Sequence, residues 1–163
     1  MSYINSIKKP LLNKIDLILP LLIFIFTFSV YITFLVPSIL QGDPAEFCIA
    51  SYVLGVPHPN GYPIYTWVGH LFTLLPIGSV AYRVNLMSAF FGAAAVSLIY
   101  LIVLKIKLWN KDINKSSLNS SNQSSLNIYR FIALIAAFSL AFSRTFWSQS
   151  EFAEVYTLNA FLL

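Results

Sequence analysis

Between Leu17 and Leu40 the chain carries no charged residue. At about 1.5 Å of rise per residue, a helical run of that length crosses a hydrocarbon core about 30 Å thick. Lipid offers no partner to backbone N–H and C=O groups, so a helix is the fold open to such a run. Pro20 and Pro37 stand near its two ends, where a missing N–H does least harm.

The remaining chain points the same way. Hydrophobic residues make up 58% and charged ones 10%, with a mean hydropathy of +0.74. Soluble domains carry about a quarter charged residues, so an all-α integral membrane protein is expected. Val84 to Leu104 is a second uncharged run, with Gly92 and Ala93-Ala94-Ala95 small enough for close helix packing. Phe131 to Ser150 is a third, interrupted by Arg144 near one end, where the side chain can snorkel. Ala45–Leu54 and Pro63–Leu75 are apolar but too short to cross. They read as interfacial or re-entrant helices, with Tyr62, Tyr65 and Trp67 at headgroup depth.

A net charge of +4 does not imply nucleic acid. Lys8, Lys9 and Lys14 precede the first run, and Lys105, Lys107, Lys111 and Lys115 follow the second, the positive-inside distribution. The N-terminal apolar run exceeds a signal-peptide core and lacks a small-x-small cleavage site, so it reads as a signal anchor. Cys48 is the single cysteine, so no intrachain disulfide can form.

The expected organisation is residues 1–16 as a cytoplasmic N-terminus and 17–40 as transmembrane helix 1. Residues 41–82 form an outer loop with interfacial helices and the candidate active site, followed by transmembrane helix 2 over 83–104. Residues 105–129 are a cytoplasmic low-complexity, mobile loop, and 130–150 transmembrane helix 3. Residues 151–163 are an outer loop and the start of a further helix, cut off at Leu163. Sequons at Asn114, Asn119 and Asn122 fall in the cytoplasmic loop and should be unglycosylated. Asp43, Glu46, His58, His70 and Arg83 then share the outer face, where the third span returns Glu151 and Glu154.

Acidic residues at a membrane edge are functional suspects. Asp43-Pro44-Ala45-Glu46 also fits a helix start, with Asp43 as N-cap, Pro44 at N1 and Glu46 at N3 of a capping box. The functional reading makes Asp43 a general base for an acceptor hydroxyl, with Glu46 close enough to bias its protonation. His58, between Pro57 and Pro59, is either an exposed turn residue or a ligand contact. His70 reads as structural. Arg83 is an interfacial anchor, or a partner for a lipid phosphate or for Asp43 and Glu46. Glu154 either opens a helix, favoured there by the dipole, or belongs to the outer acidic surface. Asp43, Glu46 and His58 could together ligate a divalent cation, though their spacing matches no strong metal signature. No Gly-rich phosphate loop, nucleophile elbow or Cys/His zinc pattern occurs in the sequence.

Three longer motifs carry a resemblance. They are Gly42-Asp43-Pro44-Ala45-Glu46-Phe47, Leu54-Gly55-Val56-Pro57-His58-Pro59-Asn60-Gly61-Tyr62-Pro63, and Leu75-Pro76-Ile77-Gly78-Ser79-Val80-Ala81-Tyr82-Arg83-Val84-Asn85-Leu86. With Phe146-Trp147 and Glu154-Val155-Tyr156, the chain over roughly 15–163 resembles the multi-span family catalogued as domain of unknown function 2723. That family includes the transmembrane-protein-260 type of protein O-mannosyltransferase. Pro44 and Asn60 depart from its pattern. The resemblance implies a GT-C-like helical bundle and a sugar donor carried on polyprenyl or dolichyl phosphate. It implies a protein or glycolipid acceptor and this chain as an N-terminal part. By position, Asp43 and Glu46 would be catalytic, with His58, Arg83, Tyr62 and Glu154 binding substrate. No cofactor is implied, a divalent cation aside.

Two rivals stand beside this reading. One is a transporter or channel segment whose acids line a pathway, which requires them at mid-membrane depth. The other is a structural subunit whose motifs are only turns and caps.

Overall fold

The computed structural model describes residues 14–59, 61–113 and 122–163. The expectations for Lys8, Lys9, Asn60, Lys115 and the sequons at Asn114 and Asn119 lie outside the described residues. Among those described, every regular element is a helix. They are α1 (Lys14–Phe34), α2 (Asp43–Val53), α3 (Pro63–Thr73), α4 (Val80–Ile113), α5 (Asn122–Ala141), α6 (Arg144–Gln149) and α7 (Val155–Leu162).

Two of them are long and apolar enough to cross a membrane: α1, and Val80–Ile106 of α4. The apolar part of α5, Leu126–Ala141, is shorter.

Helix α4 is the hub, packed against α1, α5, α7, α3 and α2. Small residues permit the close approach: Ala89, Ala93, Ala133 and Ala137 are fully buried where the long helices meet. A Cβ at Gly92 would sit 2.6 Å from Ser150 Oγ and 3.2 Å from the Tyr31 ring. Tyr31 is fully buried, and its hydroxyl donates to Ala141 O at 2.9 Å, closing α1 onto α5. At the opposite end, Arg130 Nε meets Asp16 Oδ1 at 2.8 Å. Pro20 lies inside α1, and its carbonyl accepts the Ser97 hydroxyl at 2.7 Å.

The described helices differ from the sequence expectation in several places. The first helix stops at Phe34, short of Leu40. Pro37 accounts for the stop, since it drives Val36 out of the helical region and lacks an N–H of its own. The stretch 105–129 was expected to be loop, yet 105–113 belong to α4 and 122–129 to α5. Lys, Leu and Ile are adequate helix formers, and a helix has no reason to end at its first charge. The expected third span breaks at Phe142 and Ser143, where Ser143 turns extended (φ −66°, ψ 134°) and Arg144 opens α6.

Candidate active site

The link from α1 to α2 ends at Gly42, whose φ of +90° suits a residue without Cβ. That conformation makes Gly42 the N-cap, with Asp43 as the first helical residue and Pro44 behind it. The capping-box reading fails here. Asp43 makes no cap hydrogen bond, and Glu46 does not reach back to the helix start. Neither carboxylate is committed to ending the helix.

Glu46 reaches forward to the loop between α2 and α3. Its Oε1 accepts the His58 backbone N–H at 2.6 Å, and its Oε2 meets His58 Nδ1 at 2.8 Å. The loop is shaped for this return. Leu54 ends α2 in the left-handed conformation (φ 54°), and Gly55 N–H closes onto Ala50 O at 2.9 Å. Gly61 and Tyr62 are both left-handed (φ 68° and 38°) ahead of Pro63, which opens α3. A positive φ at tyrosine is uncommon, and such conformations concentrate at functional sites. It leaves the Tyr62 ring edge-on to Phe47 at 5.5 Å and to His58 at 5.7 Å. Phe47 packs on His58 from a second side at 5.5 Å. His70 is structural, its Nδ1 lying 3.0 Å from Ser51 O and tying α3 to α2.

Asp43 completes the group. One ligand atom each from Asp43, Glu46 and His58 lie within 4.8 Å of one another. Such a donor set can take a divalent cation through carboxylate oxygens and an imidazole nitrogen.

Glu154 approaches from the far end of the chain. It is the N-cap of α7, with an extended backbone, and its charge is felt by Asp43 and His58. The charges speak to one another. The hydrogen bond to Glu46, with the charges of Glu46, Asp43 and Glu154, raises the His58 pKa above its ordinary value. The hydrogen bond to His58 lowers that of Glu46. Burial, then the nearby charge of Asp43, raises that of Glu154. Beside the cluster, Tyr62, Pro63, Tyr65, Val155, Leu158 and Leu162 line an apolar groove of about 230 Å³ between α3 and α7.

Arg83 is not part of this group. Its guanidinium donates to three backbone carbonyls, Thr73 O at 2.5 Å, Ile77 O at 2.6 Å and Gly78 O at 3.0 Å, at the end of α3 and the turn after it. The second outer acid, Glu151, also stands apart, since its carboxylate accepts the Trp147 indole N–H. Of the six residues anticipated from sequence, the structure thus gathers Asp43, Glu46, His58, Tyr62 and Glu154, and leaves Arg83 outside. Sequence reasoning missed Phe47 as the aromatic wall of His58, and it quoted Asn85 without giving it a role. A buried amide within an apolar span was the available signal.

Comparison with known proteins places the chain in a family. The family description "Protein O-mannosyl-transferase TMEM260 N-terminal domain" matches residues 43–163, from the first residue of the cluster onward. The chain is 39% identical over 123 residues to "Protein O-mannosyl-transferase TMEM260" of Mus musculus, covering 75% of this chain and 15% of the mouse protein. It is 29% identical over 152 residues to "Protein O-mannosyl-transferase tmem260" of Dictyostelium discoideum, covering 91% of this chain and 16% of that relative. The chain therefore spans only a small part of the length of these curated relatives. No solved structure matches it. Because the match takes in α2 through α7, with all five clustered residues, the chain belongs to the TMEM260 N-terminal domain family.

Proposed function

We propose that this chain is the part of a multi-pass, GT-C-like glycosyltransferase that carries its first outer loop. The enzyme moves a sugar, mannose by the names of its relatives, from a polyprenyl- or dolichyl-phosphate donor to a hydroxyl on a protein acceptor. The reaction takes place at the non-cytoplasmic face, with the N-terminus cytoplasmic. The observation that carries the reading is Asp43: an exposed carboxylate, free of any capping duty, beside a carboxylate–imidazole pair.

In the proposed step the acceptor oxygen attacks the anomeric carbon as its proton passes to an Asp43 carboxylate oxygen. The bond from that carbon to the phosphate oxygen breaks, the lipid phosphate leaves with the electron pair, and the anomeric configuration inverts. Glu46 holds His58 in place and favours its imidazolium, which offers Nε2–H to the departing phosphate. That role replaces the one expected of Arg83, whose donors are already engaged. The groove beside Tyr62 supports a donor with an apolar tail.

Transfer of radiolabelled mannose from a polyprenyl-phosphate donor, in membranes from cells expressing the protein in full, tests the reading. Asp43→Asn should abolish transfer with membrane insertion unchanged. Wild-type transfer by Asp43→Asn would remove Asp43 from the chemistry.

A further inference from the structure

Asn85, in the second turn of α4, is 2% exposed and uses both ends of its side-chain amide. Its Nδ2 donates to Val36 O at 2.8 Å and to Ser38 O at 3.4 Å, in the link that leads from α1 into Asp43. Its Oδ1 accepts the Ala153 N–H at 2.9 Å, in the link that leads into Glu154. One turn later, Ser88 Oγ accepts the Glu154 N–H at 3.3 Å. The two links also meet directly, Val36 N–H donating to Glu151 O at 3.0 Å. Two segments far apart in sequence, each delivering one carboxylate to the cluster, are thus keyed to a single buried side chain.

We infer that Asn85 is a positioning residue for the transfer reaction, fixing the Asp43 and Glu154 links against each other so that both carboxylates meet His58. This rests on the transferase reading of that cluster. The chemistry of the amide makes the role specific. A leucine of similar size would fill the space but leave two carbonyls and one N–H without their partner. An aspartate would keep the acceptor for Ala153 and turn an oxygen toward the carbonyls of Val36 and Ser38. Either change removes the Asn85 tie between the two links and leaves the Val36–Glu151 bond alone to join them, while the apolar packing of α4 persists. Ser88 refines the same alignment at Glu154 itself.

A double-mutant cycle between Asn85→Asp and Glu154→Gln separates positioning from simple structural support, because only residues acting through one another give non-additive effects. Mannose transfer from a polyprenyl-phosphate donor is measured in membranes and normalised to inserted protein. Misplacement of reacting groups by about 1 Å can cost up to about 100-fold, so Asn85→Asp should lower kcat at least ~10-fold with KM within ~2-fold. In the Glu154→Gln background the same change should cost at least ~3-fold less than in the wild-type background, since one of the two carboxylates it aligns is gone. Equal losses in both backgrounds overturn the inference and leave Asn85 a structural residue. If Asn85→Asp does not insert, Ser88→Ala, which removes one acceptor, carries the same cycle with the same two outcomes. Full transfer by Glu154→Gln also overturns the inference, whereas the transferase reading falls only with an active Asp43→Asn.

Discussion

Glu46 holds His58 at two points, accepting its backbone N–H at 2.6 Å on one oxygen and meeting its ring Nδ1 at 2.8 Å on the other. The double contact fixes both the loop and the ring. A single hydrogen bond to the ring would leave the backbone of the α2–α3 loop free to move under it. Because Glu46 lies on α2, the imidazole takes its position from a helix rather than from the Pro-flanked loop that bears it.

The same contact sets a pH window. The bond to Glu46 raises His58 above 6.5, so its contribution to stability is complete below 6.5 and is lost as pH climbs through the raised value. The bond to His58 lowers Glu46 below 4.5, so its contribution is complete above 4.5 and is lost as pH falls through the lowered value. The charged pair therefore persists throughout pH 4.5–6.5 and somewhat beyond on each side. Glu46→Gln removes the main cause of the upward shift, and the His58 ring should then titrate at lower pH. Ring-nitrogen NMR of histidine-labelled protein in detergent reads the midpoint directly, and an unmoved midpoint would refute the assignment.

Glu154 runs in the opposite sense. Burial and the charge of Asp43 raise its pKa, so its ionised form opposes folding once the pH exceeds the ordinary carboxylate value. Glu154→Gln should leave the apparent Tm at pH 7 equal to or above wild type, with the difference closing as pH falls toward 4.5, while transfer drops. A lowered Tm at pH 7 would mean that the carboxylate is held by favourable contacts after all. Stability gained where activity is lost is what a strained functional charge should produce.

Arg83 should behave as a structural residue. Three donors of one guanidinium satisfy the carbonyls of Thr73, Ile77 and Gly78, an arrangement a lysine cannot reproduce. Arg83→Lys should cost about 1–2 kcal/mol of stability, the range for hydrogen bonds from a partly exposed charged donor. The KM for a lipid-phosphate donor should stay unchanged and should gain no new salt dependence. A rise in KM at wild-type Tm would return Arg83 to the substrate.

How much of this was legible beforehand depended on the range of the interaction. The two long helices were readable because hydropathy is local: Leu17 to Phe34 and Val84 to Leu104 need only their own residues to declare themselves. The ends were less so, because Pro37 and Ser143 act through backbone geometry while the apolar character runs on past them. Asp43, Glu46 and His58 were readable as suspects, but not as a group. Their approach needs the left-handed turns at Leu54, Gly61 and Tyr62, and neither leucine nor tyrosine advertises a positive φ. Arg83 was misplaced for the same reason: the three carbonyls that hold it converge only once α3 has ended and turned. Glu154 meets Asp43 through Asn85 and Ser88, a relation between distant segments that no local pattern carries.

The α2–α3 hairpin that carries His58 should be sensitive at one glycine. A Cβ on Gly69 would stand 2.3 Å from Ser51 Oγ and 2.9 Å from Ser51 Cβ, both far inside van der Waals contact. Ser51 is fully buried, so its side chain has nowhere to retreat and the two helices must separate. Gly69→Ala should therefore destabilise by about 1–3 kcal/mol, as overpacking of a filled interface does, although alanine is the better helix former. Separation would also stretch the His70–Ser51 contact and shift the loop on which His58 sits, so transfer should fall along with Tm. Ser51→Gly removes both clashing atoms and should restore most of the loss in the double variant. Thermal unfolding of the four proteins in one detergent decides it. Additive losses, with no rescue by Ser51→Gly, would show that the hairpin is not packed through this pair.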